Sequence, residues 1–227
     1  ARNANNISTV IKGEGGNDTL RGGMKNDTIE GGNGDDTLIG FAGDDTLNGG
    51  AGSDRLYVAV DNDIILTDMQ VTGDGTDKIS SIEFANLYGR AGDNLINATQ
   101  ANTISTVIKG DAGNDTLMGS QMSDQIQGGS GNDFLEGGDG DDTLTGNDGV
   151  DVFVLQSAAG TDMIQDFRDG IDLFGLSDSL GFGDLSITNN STGTAALIRD
   201  TTNSNQLLAV VNNVTAADLT TEDFIEI

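Results

Sequence analysis

A nine-residue unit, Gly-Gly-x-Gly-x-Asp-x-apolar-x, runs five times from Gly13 to Tyr57, breaks off, and runs five times again from Gly110 to Val154. Its sixth position is Asp in every copy: Asp18, Asp27, Asp36, Asp45 and Asp54, then Asp115, Asp124, Asp133, Asp142 and Asp151. Its eighth position is always apolar: Leu20, Ile29, Leu38, Leu47 and Leu56, then Leu117, Ile126, Leu135, Leu144 and Phe153. A pattern that fixes a glycine turn, a carboxylate and one buried side chain predicts a metal-dependent solenoid. The triplet x-apolar-x predicts a short strand whose central residue faces inward. The six residues before it must reverse the chain, and glycine permits the left-handed backbone this needs. One nonad is a strand and a turn, so two make a coil of about 18 residues. Turns one, three and five of a block then stack on one edge, and turns two and four on the other.

That geometry places a cation between stacked turns, held by two Asp side chains and backbone carbonyls. The predicted pairs are Asp18/Asp36, Asp36/Asp54 and Asp27/Asp45, then Asp115/Asp133, Asp133/Asp151 and Asp124/Asp142. A flexible, all-oxygen cage fits calcium better than magnesium. Zinc calls for His or Cys, and the chain has neither. The formal charge is −27, and about six calcium ions would bring it to about −15. Such charge with only 10 Lys and Arg excludes nucleic acid and anionic membranes as partners. The longest apolar stretch, Leu207 to Val211, is far short of a membrane span. Aromatic residues are 4% of the chain, close to a disordered composition, so folding is expected to depend on neutralising the carboxylates.

The blocks belong to a larger duplication. Ile7-Ser-Thr-Val-Ile-Lys-Gly13 recurs 97 positions later as Ile104-Ser-Thr-Val-Ile-Lys-Gly110, and Lys25 and Met122 break the fourth position of the second nonad in both blocks. Gly89-Arg-Ala-Gly-Asp-Asn-Leu-Ile-Asn97 reads as a worn nonad, with Asn94 in place of Asp. Gly75-Thr-Asp-Lys-Ile79 and Gly160-Thr-Asp-Met-Ile164 are related pieces in the two flanks. Strand signals lie at Ile64–Leu66, Ile79–Leu87, Leu185–Ile187, Ala195–Ile198 and Leu207–Val211, and Ala216–Asp223 suits a short helical turn. The expected class is all-β: two parallel β-roll blocks (right-handed β-solenoid) joined by a β segment, with a C-terminal β cap. The divisions are 1–57, a first block with its N-terminal strand; 58–101, a connecting β segment; 102–154, the second block; and 155–227, a cap that also suits a secretion signal.

Ten such nonads resemble the RTX (repeats-in-toxin), or hemolysin-type, calcium-binding repeat. The resemblance implies a parallel β-roll, export through a type I secretion channel and folding outside the bacterial cell, where calcium is abundant. Asp162-Met-Ile-Gln-Asp-Phe-Arg-Asp-Gly-Ile-Asp-Leu173 is similar to the segment that follows the last repeat in that family, and Asp223-Phe-Ile-Glu-Ile227 to its terminal secretion signal. Departures sit at Lys25 and Met122 in the fourth position and at Phe41, Ser120 and Asn147 in the second. A Cβ strains a turn built for glycine, which makes Asp27/Asp45 and Asp124/Asp142 the weakest pairs.

Capping by side-chain hydrogen bonds is the plain alternative for the ten Asp residues, but lone caps do not recur at a fixed period. The fifth-position acids Asp35, Asp44 and Asp141 read as solvated turn residues, not catalytic dyads, and Lys12 and Lys109 as local charge balance. Asp166, Asp169 and Asp172 suit either a further ion or capping, and Tyr57 and Tyr88 read as packing residues, not a sugar platform. Without His, Cys or a nucleophile motif, no enzyme is expected. Two functions remain: a secreted structural protein of a surface layer, sheath, filament or adhesin, or the secretion-and-folding module of a larger effector or polysaccharide-modifying enzyme. Ala1 in place of an initiator Met implies processing or a fragment, and Asn5 to Lys12 has only four residues before it on which to stack. An uncovered first coil favours head-to-tail self-association or a cell-surface contact.

Overall fold

A computed structural model describes residues 7–157, 159–177 and 180–227. The part of the Asn5–Lys12 segment before Ile7 therefore lies outside the described residues. The fold is an all-β solenoid of two sheets, with 12 and 11 strands among the described residues. No helix among the described residues is long and apolar enough to cross a membrane.

The repeat period becomes the coil. Strands stack in parallel with partners 18 residues apart: Leu20 opposes Leu38, Ile29 opposes Leu47, Leu117 opposes Leu135 and Ile126 opposes Leu144. All ten eighth-position side chains are buried in one continuous apolar core. Strand lengths are not uniform. Thr19–Arg21 and Thr37–Ile39 have three residues, as x-apolar-x predicts, but Thr28–Asn33 and Thr46–Ala51 have six. The longer strands run on into the following glycines, because Gly32 still pairs with Gly50.

Both sheets run through the connecting segment without a break. Phe84–Tyr88 pairs in parallel with Arg55–Ala59 on one side and Ser105–Ala112 on the other. In the second sheet, Thr76–Ser80 continues from Thr46–Ala51, and Gln70–Thr72 and Ile64–Thr67 turn back antiparallel. Ile64–Thr67 then meets Leu95–Gln100, the strand of the worn nonad. Ile79 to Leu87, expected as one strand, is two, broken at Ser81, whose φ of 52° turns the chain.

The C-terminal strand signals become Leu185–Asn189, Ala195–Asp200 and Gln206–Asn212, an antiparallel unit joined in parallel to Asp162–Ile164. Phe153, Phe167, Phe174 and Phe224 pack in sequence beneath it, with the rings of Phe167 and Phe174 stacked 4.3 Å apart. The helical turn expected over Ala216–Asp223 shrinks to a 3-10 turn at Thr221–Asp223. Thr220 caps it, and Asp218 folds back to bond Thr215.

Candidate metal centre

Each repeat Asp stands where its turn enters its strand, and its two carboxylate oxygens have different surroundings. In every repeat Asp after Asp18, Oδ1 accepts the backbone amide of a residue one coil earlier. Asp18 N donates to Asp36 Oδ1 at 2.8 Å, Asp36 N to Asp54 Oδ1 at 2.8 Å, Asp115 N to Asp133 Oδ1 at 2.8 Å and Asp133 N to Asp151 Oδ1 at 3.0 Å. The other edge repeats this, with Asp27 N on Asp45 Oδ1 and Asp124 N on Asp142 Oδ1. The capping alternative therefore describes one oxygen of Asp36, Asp45, Asp54, Asp133, Asp142 and Asp151.

The second oxygen carries the chemistry. Oδ2 of Asp18, Asp36, Asp45, Asp54, Asp115, Asp133, Asp142 and Asp151 is buried with no hydrogen-bond partner. A carboxylate oxygen withdrawn from water and left unpaired is costly, and a cation or a proton must compensate it. The first-position glycines show what faces these oxygens. A Cβ on Gly13 would meet Asp18 Oδ2 at 2.8 Å and the Gly31 carbonyl oxygen, and one on Gly128 would meet Gly146 O at 2.8 Å and Asp133 Oδ2. Each gap is a small cradle between a carboxylate and the carbonyl of the next coil. Among the described residues no three acidic side chains converge, so the cradle depends on backbone carbonyls for its remaining oxygens. Such a donor set is hard, all-oxygen and flexible, and it fits calcium.

Asp27 and Asp124, absent from that set of eight, lie in the two turns with a broken fourth position. Elsewhere the fourth-position glycine is left-handed, with φ of 120° at Gly34, 113° at Gly43 and 131° at Gly113. Side chains with a Cβ do not adopt φ near 120°, so Lys25 and Met122 force a different turn. There the second residue points its amide inward: Gly23 N donates to Asp27 Oδ2 at 2.7 Å and Ser120 N to Asp124 Oδ2 at 2.5 Å. The second-position departures matter less. Phe41 and Asn147 take φ of 68° and 72°, within the left-handed well open to ordinary residues.

Burial raises several of these carboxyls, with hydrogen bonds from the ladder amides opposing it. Asp142 is pushed up to about 8, Asp45 and Asp162 to about 7, and Asp77 and Asp133 to about 6. Neighbouring carboxylates add to the rise at Asp45, Asp133 and Asp142. The calcium-free fold therefore holds more protons than the unfolded chain. Stabilisation from these protons is present near pH 4 and is lost as pH rises towards 8. Calcium-stripped protein is expected to show more β structure by circular dichroism at pH 5 than at pH 8. Loss of structure on acidification across that window would contradict the assignment.

Some residues join the ladder from outside the nonads. Asp45 N donates to Asp77 Oδ1, Asp54 N to Glu83 Oε2, Asp142 N to Asp162 Oδ1 and Asp151 N to Asp172 Oδ1. The worn nonad is a true turn: Asn94 N donates to Asp115 Oδ1, Arg90 takes φ of 65°, and the buried Asn94 Oδ1 has no partner. A signal for Asp77 and Asp162 was in the sequence. Gly-Thr-Asp-x-Ile is positions four to eight of a nonad.

The fifth-position acids form an outer ladder, where Asp35 accepts Ser53 N, Asp44 accepts Thr76 N and Asp141 accepts Thr161 N. Asp166, Asp169 and Asp172 do not come together. Asp166 accepts the amides of Gly146 and Asn147, whereas Asp172 faces Arg168. Lys12 pairs with Glu30 at 2.6 Å, and Lys109 lies over the Tyr88 ring. Tyr57 and Tyr88 meet edge to face, 5.3 Å apart and half-buried.

The RTX calcium-binding nonapeptide repeat matches residues 8–29, 22–56, 30–65, 107–121 and 118–153. Similar solved structures include the extracellular lipase LipA from Serratia marcescens, at 18% identity and a TM-score of 0.33. That match covers 98% of this chain and 40% of the lipase. Another is the AlgE6R3 subunit of the Azotobacter vinelandii mannuronan C5-epimerase, at 17% identity and a TM-score of 0.28. It covers 94% of this chain and 80% of that one. The chain thus spans less than half the lipase's length. No curated protein matches the chain in sequence.

Proposed function

We propose that this chain, which carries the RTX calcium-binding nonapeptide repeat, is a secreted bacterial structural protein that folds outside the cell as calcium enters its turns. The observation that carries this reading is the set of eight buried Oδ2 atoms without a hydrogen-bond donor, of which Asp151 Oδ2 alone has a cation, Arg168, nearby among the described residues. Calcium would sit between Asp18/Asp36, Asp36/Asp54, Asp115/Asp133 and Asp133/Asp151, bridging adjacent coils and drawing on glycine carbonyls. Asp27/Asp45 and Asp124/Asp142 are the weaker candidates, because one oxygen of Asp27 and of Asp124 is already bonded within its own turn. The ladder acids serve the turns, and the reading includes no catalysis.

The first described coil offers a surface on which a structural role can be tested. Among the described residues, Val10–Gly15 and Thr19–Arg21 are the edge strands of the two sheets at one end, and Val10 and Met24 there are 65% and 73% exposed. Open strand edges with apolar neighbours recruit further strands. A second copy covering this coil would make a heterologous contact, which propagates. Light scattering of the chain in millimolar calcium is expected to show species that grow with protein concentration, and a monomer in calcium-free buffer. A monodisperse monomer in calcium would count against assembly. It would favour the second reading, in which the chain is the secretion-and-folding module of a larger effector whose own residues cover that coil.

A further inference from the structure

The five-residue pieces Gly75-Thr-Asp-Lys-Ile79, Gly160-Thr-Asp-Met-Ile164 and Gly170-Ile-Asp-Leu-Phe174 lie beyond the matched repeats, which end at residues 65 and 153. All three keep the order glycine, x, Asp, x, apolar, and all three dock in register on the last strands of a block. Ile79 opposes Leu47, Ile164 opposes Leu144 and Phe174 opposes Phe153. Their carboxylates are withdrawn from water, at 8% exposure for Asp77, 8% for Asp162 and 1% for Asp172. Each accepts the amide of the preceding ladder Asp, at 2.9, 3.2 and 3.1 Å.

At the first two pieces no basic side chain among the described residues balances the charge. A Cβ placed on Gly40 would meet Asp45 Oδ2 and, at 3.1 Å, Asp77 Oδ2, so two carboxylate oxygens from adjacent coils face one small gap. Asp45 Oδ2 and Asp142 Oδ2 are buried without partners. Among the described residues, the ion pairs are those of Lys12 with Glu30 and of Arg168 with Asp151 and Asp172, so no basic side chain reaches Asp45, Asp77, Asp142 or Asp162.

The third piece differs. Arg168 reaches into the gap between Asp151 and Asp172. Its Nη2 lies 2.9 Å from Asp172 Oδ1, 3.6 Å from Asp151 Oδ2 and 2.5 Å from the Gly149 carbonyl oxygen. Nε adds a bond to Asp172 Oδ2 at 3.2 Å. Two ladder carboxylates and a turn carbonyl are the donor set that the other turns offer to a metal. Here a guanidinium fork takes it, tethered to the chain and planar enough to bond both oxygens of Asp172.

We infer that Asp77 and Asp162 complete two divalent-cation sites with Asp45 and Asp142, and that Arg168 occupies the corresponding position between Asp151 and Asp172. This rests on the calcium-binding reading of the ladder. The second block therefore ends in two ways: with a metal ion on one edge, and with a built-in cation that needs no metal on the other.

Calcium stoichiometry, measured by native mass spectrometry and isothermal titration on the full chain, tests this. Asp77→Asn and Asp162→Asn are each expected to bind one ion fewer than the native chain, Arg168→Gln one more, and Arg168→Lys the native number. Unchanged counts for Asp77→Asn and Arg168→Gln, in a chain that binds calcium elsewhere, overturn this inference alone. A native chain that binds no calcium overturns the calcium-binding reading as well. Should a variant fail to fold in saturating calcium, a crystal structure of the native chain with calcium decides. The expected result is an ion between Asp45 and Asp77 and the guanidinium between Asp151 and Asp172. An ion in the latter position, or none in the former, overturns the inference.

Discussion

Calcium removal is expected to unfold residues 13–57 and 110–154, with loss of the β signal in far-ultraviolet circular dichroism and its return when calcium is restored. The inward side chains of each block form a column one residue wide per strand, and the turns that connect them hold eight buried carboxylate oxygens without a hydrogen-bond donor. A free calcium concentration ten times the dissociation constant stabilises a fold by about 1.4 kcal/mol per site. About six sites then contribute about 8 kcal/mol, comparable to the whole stability of a typical domain. Without the ions that contribution vanishes and the buried charges repel. Magnesium at the same concentration is expected to restore little, because it demands tighter octahedral geometry and releases its water reluctantly. The transition should be steep in calcium, since Asp36 and Asp133 each stand between two coils and filling one gap orders the ligand of the next. A spectrum unchanged by chelator would sink the whole reading. The aromatic cluster of Phe153, Phe167, Phe174 and Phe224 draws on ordinary apolar packing, so residual structure in calcium-free protein is expected there.

The coil was legible in the sequence because its period is rigid. One carboxylate and one apolar side chain every nine residues fix strand, turn and ladder together, and the observed partners are 18 residues apart within each block. That the turns of Lys25 and Met122 differ from the rest was legible too, since neither side chain can take the backbone that glycine supplies. What the sequence did not display is the split between the two oxygens of each Asp, which depends on where the neighbouring coil places its amide. The ladder outside the nonads was hidden for a different reason. Asp77 lies 32 residues from Asp45, Glu83 lies 29 from Asp54, and Asp162 lies 20 from Asp142. The hairpin of Ile64–Thr67 and Gln70–Thr72 accounts for much of the longest spacing, and a search at a fixed period passes over it. Glu83 conceals itself further by using a longer acid in the place of Asp. The duplication also hides a change of partners: Leu87, level with Val58 of the first block, meets Ile108, and Ile108 is level with Ile126. Repeats alone give no hint of that two-residue slide.

Asp133→Asn and Asp124→Asn are expected to fail in opposite ways, though the two residues are equivalent in the repeat. Asn at 133 can still accept the Asp115 amide through its carbonyl, so the ladder bond survives. It loses the charge at the buried Oδ2, which faces the gaps shared with Asp115 and Asp151. Two ions should be lost, the calcium midpoint should rise, and the stability deficit in moderate calcium should be about 3 kcal/mol. Asp124 accepts two amides instead, Thr106 N on one oxygen and Ser120 N on the other. Asn at 124 must turn an NH2 group towards one of those donors. That costs about 1–3 kcal/mol whatever the calcium concentration, and removes at most one ion. Thermal melts across a calcium series separate the two. The Asp133→Asn deficit should grow as calcium rises, because the native chain gains from two sites the variant lacks, and the Asp124→Asn deficit should grow at most half as steeply. If Asp133→Asn keeps the native calcium count, the pairing through Asp133 is wrong. If Asp124→Asn loses two ions, the closed turn built around Lys25 and Met122 is not what distinguishes these positions.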